Sequence, residues 1–363
     1  MKGHRQLSGV ILAGVLAACV GLWSCGKAPS SPQGTSGSQQ PTETKPIELK
    51  MVMFAPDKPP GNTWSRQFAQ RVEELSNGRL KINLIGGPEA IPADEAPAAV
   101  QRGVVDMAEA LGYALNKLVP GFDSVHMAEY TPAELRERGL TAYLQEQFAA
   151  QGLYYLGVCK PAEPHVVNIF GFRKPVTKLA DFKGLKIATD GAAAAAFVKE
   201  LGATPVAIPL TEYFTAMERG TIDGYTCGIP PVIDFGLGPV TKFILEESIF
   251  SSGGMVYVVN LNTWNKLPAD LQEVLTQASI EHEKNTKLWD DIVAQAKAEL
   301  VKQGVQFGKL PPDEALAYYE AFRKTIMEQD YQIGKREIVS KIHELILNPD
   351  FYRLKLDYYQ KRQ

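Results

Sequence analysis

From Asp181 to Gly224 the chain cycles through apolar runs, helix-forming stretches and glycines in an order that suits one kind of sheet. Gly184–Thr189 is a short apolar run after a Lys-Gly turn, which fits a buried strand. Gly191–Leu201 reads as an Ala-rich helix stopped at Gly202. Thr204–Pro209 is a second strand. Thr211 is placed to cap a helix over Glu212–Arg219 that Gly220 ends, and Thr221–Tyr225 is a third strand. A β-α-β-α-β order builds a parallel sheet, and ligands of such sheets bind outside the carboxyl ends of the strands.

The closing phrase of this stretch occurs earlier as well. Ala90–Met107 (AIPADEAPAAVQRGVVDM) and Ala207–Gly224 (AIPLTEYFTAMERGTIDG) agree without a gap at eight of eighteen positions. The shared residues include the Ala-Ile-Pro start, the Glu95/Glu212 pair, Arg-Gly and the Asp106/Asp223 pair. Two related α/β lobes are therefore expected, each directing a strand end and a helix start at one cleft, where a small ligand binds.

A chain of 363 residues is long enough for about two domains with ample cores. The formal net charge of −3 argues against a nucleic-acid partner, which demands a basic patch. Residues 1–25 read as a targeting segment, with Lys2, His4 and Arg5 ahead of the apolar Leu7–Val15. Leu16-Ala17-Ala18-Cys19 resembles the lipobox of bacterial lipoproteins, in which the Cys is acylated; Leu22-Trp23-Ser24-Cys25 is the rival, and a plain secretory signal the remaining alternative. Cys19 is favoured, because Trp23 is an awkward neighbour for a lipobox. Either lipid site places the protein on the outer, periplasmic face of the cytoplasmic membrane or on the cell surface. The Ser/Gly/Gln/Pro/Thr-rich residues 26–46 are expected to form a disordered tether, with a root-mean-square span of about 25 Å.

Beyond the tether, Ile47–Phe54 and Arg79–Ile85 are expected strands, and they flank a helix with Trp64, Phe68, Val72 and Leu75 on its apolar face. Gly86-Gly87-Pro88-Glu89 lacks the Gly-Lys-Ser/Thr of a phosphate loop and reads as a tight turn lining the cleft. Glu134–Gln151 is an amphipathic helix, Leu153–Val158 a strand, Val166–Phe172 a strand crossing into the second lobe and Met255–Asn260 one that crosses back. Leu267-Pro268 opens a helical pattern of over 30 residues reaching about Gln303. Asp313–Glu328, Arg336–Leu347 and Phe351–Gln360 follow as helices.

Catalytic signatures are missing: there is no Gly-x-Ser-x-Gly, His-Glu-x-x-His or Cys-x-x-Cys. The five histidines show no metal-ligand spacing, so neither a metal site nor a cofactor is assigned. Cys159 and Cys227 either pair or remain thiols.

The stretch KPVTKLADFKGLKIA…LGATPVAIPLTEYFTAMERGTIDG resembles the solute-binding proteins of TRAP (tripartite ATP-independent periplasmic) transporters. So do VTKFI at Val240–Ile244 and VVNLNTWNKLPADLQEVL at Val258–Leu275. The resemblance covers about residues 47–330. It implies a two-lobed, periplasmic-binding-protein-like (type II) α/β fold with a long helix spanning both lobes. It also implies a hinge-closing binder, without enzyme activity, that hands a small organic acid to an ion-gradient-driven membrane permease. Lobe I is expected from 47–165 plus about 254–293. Lobe II takes 166–253 plus about 294–363, which includes the C-terminal helices.

One departure bears on the ligand. Family members typically carry Arg two residues after Gly-Leu-Lys, where its fork holds a carboxylate; here that position is Ala188. A second basic position of some members falls near Asn168, and an Asn after Asp-Gly falls near Cys227. Either another cation takes over, with Arg173, Lys160 or His165 as candidates, or the ligand is less acidic and more apolar, held by Tyr113, Tyr213, Phe214 and Tyr225. Leu210 stands at the repeat start, and Glu89 and Glu212 are further cleft candidates or helix-start carboxylates favoured by the local dipole. Two other readings stay open: a secreted, lipid-anchored hydrolase using Glu89 and Glu212, and a binding protein that feeds a sensor.

Overall fold

The computed structural model describes residues 45–59, 62–159, 168–189, 191–250 and 255–350, all within the unit that follows Glu43. The chain first runs β1 (Ile47–Val52), α1 (Thr63–Leu75), β2 (Leu80–Leu84), α2 (Ala96–Gln101), β3 (Met107–Leu111), α3 (Gly112–Leu115), α4 (Pro132–Glu137), α5 (Leu140–Ala149) and β4 (Leu153–Val158). Next come β5 (Asn168–Phe172), β6 (Lys186–Thr189), α6 (Ala192–Glu200), β7 (Thr204–Ala207), α7 (Tyr213–Arg219), β8 (Gly224–Cys227), α8 (Ile229–Asp234) and β9 (Phe243–Phe250). The last stretch holds β10 (Met255–Asn260), α9 (Leu261–Lys266), α10 (Ala269–Glu283), α11 (Thr286–Lys302), β11 (Gln306–Gly308), α12 (Pro312–Ile333) and α13 (Arg336–Ile346).

The strands form two mixed sheets with the orders β2-β1-β3-β10-β4 and β11-β9-β5-β8-β6-β7. Each sheet has the same kernel. A central strand, β1 or β6, pairs in parallel with the next strand in sequence and with the one that closes the repeated phrase, β3 or β8. A long-range strand then adds antiparallel on the outside, β10 against β3 and β5 against β8. Met51 sits opposite Met107 and Ile187 opposite Gly224, so the two copies share one register.

The residues common to both copies explain that likeness. The Lys50 amide donates to Asp106 Oδ2 at 2.8 Å, and the Lys186 amide to Asp223 Oδ2 at 2.9 Å. Each aspartate amide returns a bond to the same lysine carbonyl. A side chain and a backbone amide thus pin the start of the closing strand to the central one. Gly103 and Gly220 follow the two short helices at φ of 72° and 71°, a left-handed turn that glycine enters without strain.

Core packing ties the C-terminal helices to both sheets. Phe197 of α6 meets Tyr318 and Phe322 of α12 edge-on at 5.0 and 5.1 Å, while α13 buries Val339, Ile342 and Ile346. Complete burial of a side chain such as Phe170, Phe182 or Phe197 contributes about 1.5–3 kcal/mol.

Several boundaries differ from expectation. The helical pattern after Pro268 is two helices, because Asn285 leaves helical geometry and its side chain accepts the Leu288 amide at 3.2 Å to start α11. The pair still reaches both lobes: α10 packs on α1 and β4, and α11 on α8. Glu134–Gln151 is likewise split, at Gly139, whose φ of 90° ends α4. The expected helix Phe351–Gln360, the targeting segment and residues 26–44 of the tether lie outside the described residues.

Candidate ligand-binding cleft

Because both kernels are parallel, β1 and β3 of one sheet and β6 and β7 of the other deliver their carboxyl ends to loops, and those loops line a single cavity of about 460 Å³. The first lobe supplies Phe54 beyond β1, Pro88, Pro92, Ala93 and Asp94 beyond β2, and Leu111 and Tyr113 at the end of β3. The second supplies Thr189 and Gly191 beyond β6, Ala207–Thr211 beyond β7, and Phe235 after α8. The opening residues of the two repeat copies, Pro92–Asp94 and Ala207–Thr211, therefore stand on opposite walls of one pocket. The lobes meet closely here. Gly191 has a φ of 106°, and a Cβ built on it would lie 2.7 Å from Cβ of Tyr113. Only glycine fits that contact.

Of the residues singled out in the sequence, Tyr113 and Leu210 line the cavity. Tyr213 and Tyr225 are fully buried in the second lobe's core, with Ala188 and Cys227, while Phe214 packs half-buried against it. The Tyr225 hydroxyl and Thr241 Oγ1 are 2.7 Å apart, and burial pushes the phenol well above its usual pKa. Successive side chains of a strand point to opposite faces, so Ala188 turns into the core and its neighbour Thr189 meets the cavity.

Arg173 is not brought to the cleft. β5 runs antiparallel to β8, so Ile169, opposite Cys227, is at the cleft end and Phe172, opposite Gly224, at the far end. Arg173 follows Phe172; it is exposed, and its guanidinium covers Gly220. Asn168, at the cleft end of β5, is half-buried, and its Oδ1 has no hydrogen-bond partner. His165, Lys160, Cys19 and Cys25 lie outside the described residues.

Glu89 and Glu212 do not form a carboxylate pair in the cavity, since neither lines it. Glu89 Oε1 accepts the Gly87 and Asp57 amides at 2.7 and 3.3 Å. Partial burial opposes its ionisation, but these amides and its own outweigh that and hold the carboxyl below its usual range. Glu212 is exposed at the start of α7. Cys159 and Cys227 are both buried thiols.

Trp64 of α1 packs with the core residues of the second lobe, where α10 and α11 meet. Its ring lies 3.9 Å from His282 of α10 and meets Trp289 of α11 edge-on at 5.8 Å, while its indole donates to the Cys159 carbonyl. His282 Nδ1 lies 3.0 Å from the Tyr257 hydroxyl, and burial drives its pKa down to about 3, so it is neutral. Beside Trp64 a second cavity of about 20 Å³, room for one water, is bordered by Glu109 and Asp234. Glu109 accepts Ser65 Oγ at 2.6 Å and the Phe54 amide at 3.1 Å, which links this buried acid to the floor of the larger cavity.

Phe54, Asp94, Leu111, Thr189, Gly191 and Phe235 were not singled out in the sequence. The rule that ligands sit beyond the carboxyl ends of parallel strands points to the first five by position, whereas a search by residue type passes over them. Among the described residues no group of three or more His, Cys, Asp or Glu side chains is arranged to hold a metal, and no helix is long and apolar enough to cross a membrane.

With this geometry in place, similarity to known proteins is informative. The profile of the DctP family, described as bacterial extracellular solute-binding protein, family 7, matches residues 51–332. A monocarboxylate 2-oxoacid-binding periplasmic protein of Nostoc is 29% identical over 222 residues, 59% of this chain and 60% of that one. The C4-dicarboxylate-binding periplasmic protein DctP of Rhodobacter capsulatus is 24% identical over 319 residues, 83% of this chain and 91% of that one. The chain thus spans under two thirds of the Nostoc relative and most of the Rhodobacter one. Among solved structures, a TRAP periplasmic solute-binding protein from Desulfovibrio salexigens with bound orotic acid superposes with a TM-score of 0.71. That match has 18% identity and covers 86% of this chain and 99% of the other. One from Pseudomonas putida F1 with bound D-glucuronate gives 0.69 at 18% identity, over 84% and 98% of the two chains.

Proposed function

This chain belongs to the bacterial extracellular solute-binding proteins of family 7, the TRAP transport binders, and from that membership we propose that it captures a small organic acid in the interlobe cavity and delivers it to a TRAP membrane permease. The observation that carries this reading is the cavity itself, walled by the same repeat position from two lobes. The ligands named for relatives, a 2-oxoacid, a dicarboxylate, orotic acid and a glucuronate, are all small acids and agree with it. The lining is largely Phe, Tyr, Leu, Ile and Pro, which favours an aromatic or weakly acidic ligand over a densely hydroxylated one.

Capture works through closure. A ligand touching both walls contacts the closed form more than the open one, and shifts the equilibrium by as much as its affinity differs between them. The contact of Tyr113 with Gly191 makes the walls mutually sensitive, and the Trp64–His282–Trp289 cluster lets α10 and α11 register the closure. A thermal-shift screen of small organic acids, with mass spectrometry of the recovered ligand, tests the proposal. A fitting acid at a hundred times its Kd stabilises the native state by about 2.7 kcal/mol, or roughly 4 °C in Tm, and is recovered unchanged. Chemical turnover of the acid, or no response to any acid, would refute it.

A further inference from the structure

The two copies of the repeat are alike where they build the sheets and differ where they meet the cavity. At one lining position they differ in charge: Asp94 on the first wall corresponds to Thr211 on the second. We propose that this asymmetry orients the ligand and makes Asp94 a specificity-determining residue that favours acids with a single carboxylate over those with two. The inference rests on the organic-acid reading above.

The argument is electrostatic. Asp94 is the charged side chain among the described lining residues, and 54% of its side chain is exposed. Its ion pair with Lys117 is loose, at 3.7 Å with the lysine 65% exposed, and exposed pairs of this kind are weak, so the carboxylate still presents charge to the pocket. The second wall offers the hydroxyls of Thr189 and Thr211, which donate to an acid without opposing it. A bound carboxylate is therefore received on the second wall. The rest of the ligand lies along Phe54, Leu111 and Tyr113 toward the first. A second carboxylate at the far end of such a ligand approaches Asp94. At roughly 5–6 Å in a mostly aqueous opening, like charges weaken binding by about three- to ten-fold.

The full chain is titrated calorimetrically with two pairs of probes that share a body, pentanoate with glutarate and 4-methylbenzoate with terephthalate. The wild type is expected to prefer the monoacid of each pair by about three- to ten-fold. Asp94→Thr, which copies the opposite wall, and the near-isosteric Asp94→Asn both bring the ratio to within about two-fold. In 1 M NaCl, where the screening length is about 3 Å, the wild-type ratio shrinks as well, which a purely steric role would not produce. Equal or tighter binding of the diacids by the wild type, or a ratio unmoved by both variants, overturns the inference while organic-acid capture stands. Binding of none of the four acids overturns the inference, and organic-acid capture falls with it only if the wider thermal-shift screen finds no responding acid either.

Discussion

A buried glutamate of the first lobe is met by donors from two other elements, and a buried glutamate of the second by fewer. Glu109, on β3, takes a hydroxyl from Ser65 and an amide from Phe54, and sits beside the interlobe contacts of Trp64. Glu247, on β9, is as buried, but it takes the Leu310 amide at 3.1 Å and borders neither cavity. Burial dominates its titration and raises the pKa to about 7, the Leu310 amide and Lys309 pulling the other way. The same residue type thus serves as an anchored acid next to the binding region in one lobe and as a tolerated burden in the scaffold of the other.

The largest expected effect follows from that burden. The folded pKa of Glu247 lies above the unfolded value, so below about pH 4.5 the group is protonated in both states and costs nothing. As pH rises toward about 7 the unfolded chain ionises first, and stability falls. Glu247→Gln removes this slope, and at pH 8 it should stabilise the protein by about 2–3 kcal/mol, read as Tm against pH in wild type and variant. Parallel Tm profiles for the two would contradict the contrast between the lobes.

A smaller effect separates the two repeat aspartates. Both anchor a central strand through a lysine amide, but Asp106 also accepts Thr263 Oγ1 at 3.1 Å, which ties the first kernel to α9. Asp106→Ala should cost about 2 kcal/mol and Asp223→Ala about 1 kcal/mol, measured by denaturant unfolding. Neither residue lines the cavity, so ligand affinity is expected to hold in both variants. An affinity loss at either would place part of the ligand grip at the far end of a sheet.

What could be read in the sequence was whatever local pattern determines. Leu153–Val158 and Met255–Asn260 are continuous apolar runs, and both are strands with those bounds. The repeat disclosed two kernels because the chemistry of Asp106, Gly103 and their partners is local to the turn that each copy builds. The break at Asn285 was hidden, since one asparagine inside a helical pattern signals a cap only once its side chain turns back to the Leu288 amide. Arg173 shows the other limit. Its candidacy depended on which end of β5 faces the cleft, and strand direction within a sheet is set by long-range pairing with β8 and β9, which no window around Arg173 contains. Ala188 is a related case, where one step along β6 decides between core and cavity.

The smallest expected difference lies at the two repeat glycines, and it turns the misplacement of Arg173 into a measurement. A Cβ on Gly103 would meet only Asn260 Nδ2, at 3.8 Å, so Gly103→Ala costs the left-handed conformation alone, about 1 kcal/mol. Gly220→Ala carries the same backbone cost and also drives a Cβ to 2.6 Å from Arg173 Nη1. The guanidinium is the far end of a flexible, exposed side chain, so it swings away, adding about 0.5 kcal/mol or less on the scale of surface substitutions. In the Arg173→Ala background that excess should vanish and the two alanine variants become equal, a coupling that a double-mutant cycle isolates. Arg173→Ala by itself should leave the affinity for a bound acid unchanged, because the residue stands at the end of β5 opposite the cavity. A drop in affinity in that single variant would return Arg173 to the binding site and undo the strand-direction argument with it.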